Sequence, residues 1–204
     1  MARAVERDGR RRMRAAERRA QLLEVARRVF GSAGFHRVSM DDVAKEAGVT
    51  KPTLYDHFPS KRDLYLALLE ADLAILEERV REALRAPTGN RERIRASFQA
   101  YFDFVDEEAD GFRLLMQESV GAEREFRELV GAVRDRILAE VADLIVRESD
   151  GRLEREEAET VALALVGMVE TAAQRGAGGP KEERARAVDT LVRLAWKGIT
   201  RLTE

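Results

Sequence analysis

Residues 39–61 read SMDDVAKEAGVTKPTLYDHFPSK, and this stretch decides the fold of the first third of the chain. Ser39 and Asp42 have the spacing of a capping box, with aspartate in place of the usual glutamate, and predict that a helix begins here. Gly48 ends that helix, because glycine enters the left-handed conformation at low steric cost. Thr50 then caps a second helix. The stretch therefore predicts two short helices joined by a tight turn.

The second helix has an apolar side and a polar side. Leu54 and Phe58 are four residues apart and would anchor it to the other helices, and Pro52 suits its first turn. Two helices around a tight turn are typical of a helix-turn-helix, which places its second helix in the major groove of DNA. Lys51 at the start of that helix can donate to guanine, and Thr53 can contact a base or a thymine methyl group. An ordinary helical hairpin with an aromatic core is the alternative.

The side chains left on the polar side are the predicted DNA contacts. Tyr55, His57 and Lys61 suit contacts with phosphates, and Ser39, at a helix N-terminus, can also reach a phosphate. These predicted contacts are Ser39, Thr50, Lys51, Pro52, Thr53, Tyr55, His57 and Lys61.

The wider pattern resembles the N-terminal domain of the Tet-repressor (TetR) family of transcriptional regulators. The residues that carry the resemblance are Phe30, Gly34-Phe35, Ser39, Val43-Ala44, Ala47-Gly48-Val49, Lys51-Pro52-Thr53-Leu54-Tyr55, His57-Phe58 and Ser60-Lys61. They cover about the first third of the chain, and the remainder matches the family by helical layout only. The resemblance implies an all-α fold of about nine helices with the DNA reader at the N-terminus.

Charge is distributed unevenly along the chain. Residues 1–62 hold 15 Lys and Arg against 8 Asp and Glu, a net charge of +7, whereas the remaining 21 bases and 30 acids give −9. A basic segment around a helix-turn-helix is the electrostatic pattern of a DNA-binding domain. Residues 1–14 are arginine-rich without an apolar period. We expect a basic disordered arm there, which either follows DNA or only adds solubility.

Three parts follow: the arm at 1–14, a helix-turn-helix DNA-binding domain at 15–62, and a ligand-binding and dimerisation domain at 63–204. Helical periodicity and Gly or Pro breaks place the other helices. These predicted helices cover about 15–33, 61–85, 91–107, a short one from 111, 123–149, 154–175 and 181–202.

The predicted helix over 154–175 is apolar nearly all round between Val161 and Val169, so it must be covered on every side. A second subunit would supply that cover, and Gly167 would permit close approach. We predict a four-helix dimer interface made by this helix and the last one in each subunit, as the resemblance also implies. Burial inside one subunit is the alternative. The predicted interface residues are Leu163, Val166, Gly167, Leu191, Leu194, Ala195 and Ile199.

Aromatic and methionine side chains in the middle of the chain predict an apolar cavity with a few polar points, although such residues are more often core. The expected ligand is a small apolar or amphipathic effector. The residues predicted to line the cavity are Tyr101, Phe102, Phe112, Met116, Phe126, Ile137, Met168, Glu170 and Gln174.

Other chemistry has little support in the sequence. Cysteine is absent and His36 and His57 are the only histidines, so we predict no metal site and no cofactor. No arrangement of nucleophile and base indicates an enzyme. No apolar run reaches the ~18 residues of a membrane span, and we expect a cytoplasmic protein.

The sequence therefore predicts a homodimeric, ligand-responsive transcriptional regulator, a repressor that binds a palindromic operator in double-stranded DNA. One alternative is a helical interaction or scaffold protein whose basic arm gives only non-specific DNA binding. A membrane-surface protein is a weaker alternative, because the arm lacks the large apolar face that such binding needs.

Overall fold

The computed structural model describes the backbone of residues 2–107 and 124–202, and the side chains of residues 15–107 and 124–201. The described residues form eight helices and no strand, which confirms the all-α fold. The helices are α1 (Ala2–Ala33), α2 (Met40–Glu46), α3 (Lys51–His57), α4 (Lys61–Arg85), α5 (Asn90–Glu107), α6 (Arg124–Glu148), α7 (Arg155–Gly176) and α8 (Lys181–Leu202). The helix predicted from residue 111, together with Phe112 and Met116, lies outside the described residues.

The first helix is longer than the sequence predicted. It begins at Ala2, so the segment 1–14, for which a disordered arm was expected, is helical from its second residue. Alanine, arginine, glutamate and methionine are all good helix formers, and the single Gly9 costs only about 1 kcal/mol relative to alanine. An arginine-rich composition without an apolar stripe therefore does not by itself indicate disorder.

The helices α1, α2 and α3 form one small unit around a shared core. Leu22 and Phe30 of α1 are buried against Val43 of α2, and Leu54 and Phe58 of α3 are buried in the same cluster. Each of these side chains is at most 1% exposed. Replacing a side chain as buried as Leu54 by alanine typically costs about 2–5 kcal/mol, so this core fixes how α3 is presented.

The helix α4 belongs to both parts of the molecule. Its first turns pack on α1, where Leu64, Tyr65 and Leu68 are fully buried. Its later turns pack along α5 and α6. A single continuous helix thus carries the N-terminal unit on the body.

The body is a layered set of long helices. α5 packs against α4, α7 and α8, and α6 packs against α4 and α7. The turn between α6 and α7 uses two residues in the left-handed region, Asp150 at φ 51° and Gly151 at φ 77°. No helix in the described ranges has the length and apolar character needed to cross a membrane.

Candidate nucleic-acid interface and internal cavity

The local signals in residues 39–61 form the structures that they predict. The Ser39 hydroxyl accepts a hydrogen bond from the Asp42 N–H at 3.2 Å, and the Asp42 carboxylate accepts one from the Ser39 N–H at 2.9 Å. This is the predicted capping box. The Ser39 hydroxyl also donates to the Asp42 carboxylate at 2.6 Å, and this bond, together with the one from the Ser39 N–H, lowers the pKa of Asp42. Gly48 has φ 63°, so the chain turns there in the left-handed conformation. The Thr50 hydroxyl then accepts from the Thr53 N–H and caps α3.

The buried side of α3 leaves a continuous exposed side. Leu54 and Phe58 are buried, whereas Lys51, Pro52 and Tyr55 are exposed. Tyr55 is 40% exposed, which is unusual for a large aromatic side chain. Of the other predicted contacts, Ser39 and Thr50 are exposed and Thr53 and His57 are half-buried. Of the predicted DNA contacts on α3, Lys51, Pro52 and Tyr55 therefore lie on this outward side, with Lys51 at the N-terminal end of the helix.

Lys51 has an acidic partner that the sequence analysis did not identify. Its Nζ lies 2.9 Å from one carboxylate oxygen of Asp41 and 3.1 Å from the other. This hydrogen bond raises the pKa of Lys51 above its ordinary value. Asp41 belongs to the first turn of α2, ten residues earlier, and only the turn at Gly48 brings the two together.

Lys61 also makes contacts within the protein that the sequence pattern does not show. Its Nζ donates to the backbone carbonyls of Phe35 at 3.0 Å and Val38 at 2.9 Å, and it lies 4.4 Å from the centre of the Phe35 ring. All of these contacts are inside the N-terminal unit. Lys61 thus ties the start of α4 to the loop after α1, and its predicted contact with a phosphate stays a prediction.

A second basic residue also packs on an aromatic ring. The Arg19 guanidinium lies 4.5 Å from the centre of the Phe58 ring, which joins α1 to the end of α3. Cation–π contacts of this kind stabilise by about 0.5–1 kcal/mol where they are exposed. Residues 19 and 58 are distant along the chain, so no local sequence pattern predicts this contact.

A buried ion pair joins the N-terminal unit to the middle of α4. Arg27 donates to one carboxylate oxygen of Asp72 from Nε at 2.9 Å and from Nη2 at 2.6 Å. Asp72 is 0% exposed and the Arg27 side chain is 14% exposed. A charge-assisted double contact in such a site fixes the orientation of α1 on α4.

An aromatic cluster forms a second joint between the two parts. Phe126, near the start of α6, packs edge-on against Phe35, with 5.2 Å between ring centres, and at a tilt against Tyr65 of α4, with 5.0 Å between ring centres. Phe30 of α1 completes the cluster at 5.0 Å from Tyr65. Phe126 is fully buried. It was predicted to line a ligand cavity, and the structure places it in this joint.

The body encloses a cavity of about 310 Å³ between α4, α5, α6, α7 and α8. That volume lies at the lower end of the range for ligand pockets. Most of its lining is apolar, from residues such as Leu76, Val80, Ile94 and Ile137. Its charged lining residues are Arg93 and Glu148, which pair with each other, and Arg134 and Glu170, which pair beside Tyr101. The chain's single tryptophan, Trp196, also lines the cavity.

The predicted cavity residues divide between several locations. Tyr101, Ile137 and Glu170 do line the cavity. Phe102 is buried in the core, with its ring edge next to Gly176, and Met168 packs against the core while Gln174 is exposed. Aromatic residues on one helix face different directions, and composition alone does not separate them.

Two leucines on the predicted dimer surface are unusually exposed. Leu163 of α7 is 51% exposed and Leu194 of α8 is 60% exposed. A β-carbon added at Gly167 would meet no atom within 4 Å, so open space lies beside it. Leu191 is half-buried, whereas Val166 and Ala195 are buried within the subunit. A further predicted interface residue, Ile199, lines the cavity, as does Val166.

Comparisons with known proteins agree with this arrangement. The family model for bacterial regulatory proteins of the tetR family matches residues 22–68, and the model for the tetracyclin repressor-like C-terminal domain matches residues 90–198. The HTH-type transcriptional activator FasR of Mycolicibacterium smegmatis is 38% identical over 185 residues, which cover 90% of this chain and 84% of FasR. The chain therefore belongs to the TetR family of transcriptional regulators.

Solved structures show the same fold. A TetR-like transcriptional regulator from Rhodococcus sp. RHA1 has a TM-score of 0.75 and 31% identity, and the match covers 90% of this chain and 96% of that one. AibR, solved in complex with isovaleryl coenzyme A and operator DNA, has a TM-score of 0.69 and 21% identity, covering 87% and 97%. Family membership makes this chain a ligand-responsive, DNA-binding transcriptional regulator, as the sequence predicted. The expectation that it is not an enzyme agrees with that membership.

Proposed function

We propose that this regulator binds a two-fold symmetric operator as a homodimer, with one copy of α3 in the major groove of each half-site. The observation that carries the proposal is the outward side of α3, where Lys51 stands at the N-terminal end beside exposed Pro52 and Tyr55. The N-terminal residues of the second helix contact base edges in this motif. Because the dimer is symmetric, the half-site centres lie about 34–36 Å apart or a multiple of that distance.

The dimer is supported by the exposed leucines of α7 and α8. Leu163 and Leu194 stand out among the described residues as large aliphatic side chains that are more than half exposed, and both lie on the two helices that the sequence assigned to the interface. Exposed apolar surface of this kind marks sites of protein association. The close approach that Gly167 permits would let α7 helices from two subunits pack together.

The effector of this regulator occupies the internal cavity and changes the affinity for DNA. The cavity is bounded by α4 and α6, and both helices also hold the N-terminal unit, through the Arg27–Asp72 ion pair and through Phe126. A ligand that favours one arrangement of these helices shifts the spacing of the two α3 helices. Because binding is linked, operator DNA changes ligand affinity by the same factor as the ligand changes DNA affinity.

Whether the regulator represses or activates transcription depends on where the operator lies relative to a promoter. The sequence favoured a repressor, and this part stays a prediction, since FasR of M. smegmatis is named as an activator. A promoter fused to a reporter, with and without this chain, decides the direction. As a DNA-binding regulator the protein acts in the cytoplasm, where bacterial DNA is found.

Selection of duplexes from a random pool by the purified protein tests the proposal. An enriched inverted repeat is expected. Lys51→Ala should then relax the sequence preference, whereas Tyr55→Phe should weaken binding to all sequences alike. Lys181→Ala is the matched control, because Lys181 is an exposed lysine at the start of α8, far along the chain from the reader.

The result that contradicts the proposal is uniform binding without an enriched sequence. In that case the helix-turn-helix would act only as a scaffold, and basic residues would give salt-sensitive, non-specific binding. A specific complex with several phosphate contacts loses about 10³–10⁵ in affinity between 50 and 200 mM salt, so salt dependence alone does not separate the two cases. Sequence enrichment does.

A further inference from the structure

The lysine at the start of α3 is held by a carboxylate from the preceding helix. Lys51 Nζ lies 2.9 Å from one carboxylate oxygen of Asp41 and 3.1 Å from the other, so the ammonium group contacts both. The two side chains are 54% and 63% exposed. The ion pair therefore lies on the surface that carries the proposed DNA contacts, where DNA can reach both of its members.

The cap of α2 is formed by residues other than Asp41. Ser39 is the capping residue, and its N–H and hydroxyl donate to the carboxylate of Asp42 at 2.9 and 2.6 Å. A carboxylate in the first turn also interacts favourably with the helix dipole, which Asp42 does as well. Capping therefore does not account for the position of the Asp41 carboxylate, whereas the contact with Lys51 does.

Lys51 lies at the end of α3 where a cation is electrostatically unfavourable. It is the first residue after the capping Thr50, and the backbone N–H groups of the first turn carry partial positive charge. Asp41 offsets this with a negative charge, and its hydrogen bond raises the pKa of Lys51. DNA that approaches this end of the helix must therefore compete with Asp41 for the ammonium group.

DNA offers Lys51 two kinds of acceptor, and Asp41 affects them differently. A phosphate follows every nucleotide, so a lysine that binds phosphate adds affinity without reading sequence. The O6 and N7 atoms of guanine occur only at particular positions in the major groove. A carboxylate beside the ammonium group repels a phosphate, since both are anions, whereas the uncharged acceptors of guanine are not repelled in this way.

We propose that Asp41 determines specificity by keeping Lys51 from phosphates, which carry no sequence information. The inference rests on the proposed function, since it concerns how α3 distinguishes the operator from other DNA. Asp41 weakens binding to random sequence more than binding to the operator, so its presence raises the ratio of the two affinities. An exposed ion pair contributes little, which sets the effect on this ratio at about two- to fivefold.

Asp41→Asn in the full-length protein tests this inference, because asparagine keeps the size of the side chain and removes its charge. Fluorescence anisotropy measures affinity for a labelled duplex that the wild-type protein selects and for a random duplex of equal length. Binding to random DNA should tighten by up to about fivefold, with a smaller change for the selected duplex. The plot of log affinity for random DNA against log salt should steepen by about 0.9, the value for one added phosphate contact.

Asp56→Asn is the matched control, because it removes an exposed negative charge from α3 itself and leaves the pair of Asp41 and Lys51 in place. A general loss of repulsion should strengthen binding to both duplexes alike, so the ratio of affinities should stay at the wild-type value. A second comparison places Asp41→Asn in the Lys51→Ala protein. Since Asp41 acts through Lys51, the substitution should leave the ratio unchanged in that background.

The inference is overturned if Asp41→Asn changes the ratio of affinities no more than Asp56→Asn does. It is also overturned if the change is the same with and without Lys51, because the carboxylate would then contact DNA by itself, as with the amino group of a cytosine. Circular dichroism of each variant separates loss of binding from loss of fold. A selection that enriches no sequence would refute the proposed function together with this inference, whereas a selected operator with an unchanged ratio refutes only the role of Asp41.

Discussion

Replacing Arg27 by methionine removes the cation from a buried ion pair while keeping most of the side-chain volume. Asp72 is 0% exposed, and Arg27 reaches it with two donors at 2.6 and 2.9 Å. The variant therefore leaves a carboxylate in the interior without the guanidinium that now compensates its charge. Because α1 and α4 meet at this pair, the loss falls on the joint between the N-terminal unit and the body.

The magnitude follows from the burial. Breaking a buried pair by removing one partner costs about 3–5 kcal/mol, and we expect the lower end because the Arg27 side chain retains 14% exposure. A loss of about 3 kcal/mol lowers the folding equilibrium constant roughly 100-fold. In a chain of this size it lowers the melting temperature by about 6–12 °C.

Urea denaturation followed by far-ultraviolet circular dichroism measures the free energy of unfolding. Arg28→Met is the matched control, since the neighbouring Arg28 lies 3.5 Å from Glu24 with both side chains more than half exposed. An exposed pair of this kind contributes less than about 1 kcal/mol. The double variant Arg27→Met/Asp72→Leu should recover most of the stability, because apolar packing replaces the buried charges.

Two outcomes would refute this reasoning. In one, Arg27→Met loses no more stability than Arg28→Met, and the pair then contributes no more than a surface contact. In the other, the double variant is no more stable than Arg27→Met alone. The loss would then come from changed packing of α1 and not from an uncompensated charge.

Three further predictions concern the hydrogen bonds of Lys61, the ion pair of Glu77 and the proposed dimer surface. Lys61→Met should lower the free energy of unfolding by about 3 kcal/mol, because two charged hydrogen bonds to carbonyls, each worth about 1.5 kcal/mol or more, are lost. Glu77→Gln should lower stability at pH 7, because the hydrogen bond from Arg136 depresses the pKa of Glu77. A depressed pKa stabilises the fold above the ordinary value of 4.5, and that stabilisation is lost as the pH falls through the lowered pKa, so urea titrations should show the two proteins converging in acid. Leu194→Glu should convert the proposed dimer to a monomer of unchanged helix content, measured by sedimentation velocity and circular dichroism.

Matched changes at exposed positions serve as controls for these three. Lys45→Met, Glu82→Gln and Ala132→Glu alter the same kinds of group on solvated faces. Each should change stability by less than about 0.5 kcal/mol. A reduced dependence of DNA affinity on salt for Lys61→Met would indicate that Lys61 also contacts a phosphate. A pH-independent loss for Glu77→Gln would exclude the ion pair as its cause, and a stable dimer of Leu194→Glu would move the interface elsewhere.

Local signals in the sequence were sufficient for the helix-turn-helix. A capping serine, the glycine at 48 and the spacing of Leu54 and Phe58 act within one or two helical turns, so the pattern determines the structure. The helical class of the whole chain followed from the same kind of periodicity. The N-terminal extent of α1 could not be predicted in this way, since an arginine-rich segment suits both a helix and a disordered arm.

The missed contacts are those between elements distant in the chain. Arg27 and Asp72 are 45 residues apart, and Lys61 is 26 residues from the carbonyl of Phe35 that it binds. Their partners are set by how the helices cross, which a single sequence does not specify. The same reason explains the cavity: Tyr101 and Glu170 were assigned to it from composition, whereas Phe126 has similar chemistry and lies in another place.

The path of α6 gives the molecule a mechanical property. This helix has 25 residues and is about 37 Å long, with Phe126 held in the aromatic cluster near one end and Glu148 at the far side of the cavity. A rod of that length converts a tilt of about 5° at one end into a displacement of roughly 3 Å at the other. Because Phe126 packs against Phe35 of the N-terminal unit, the proposed effector, by tilting α6 from its Glu148 end, would move that unit by up to this distance.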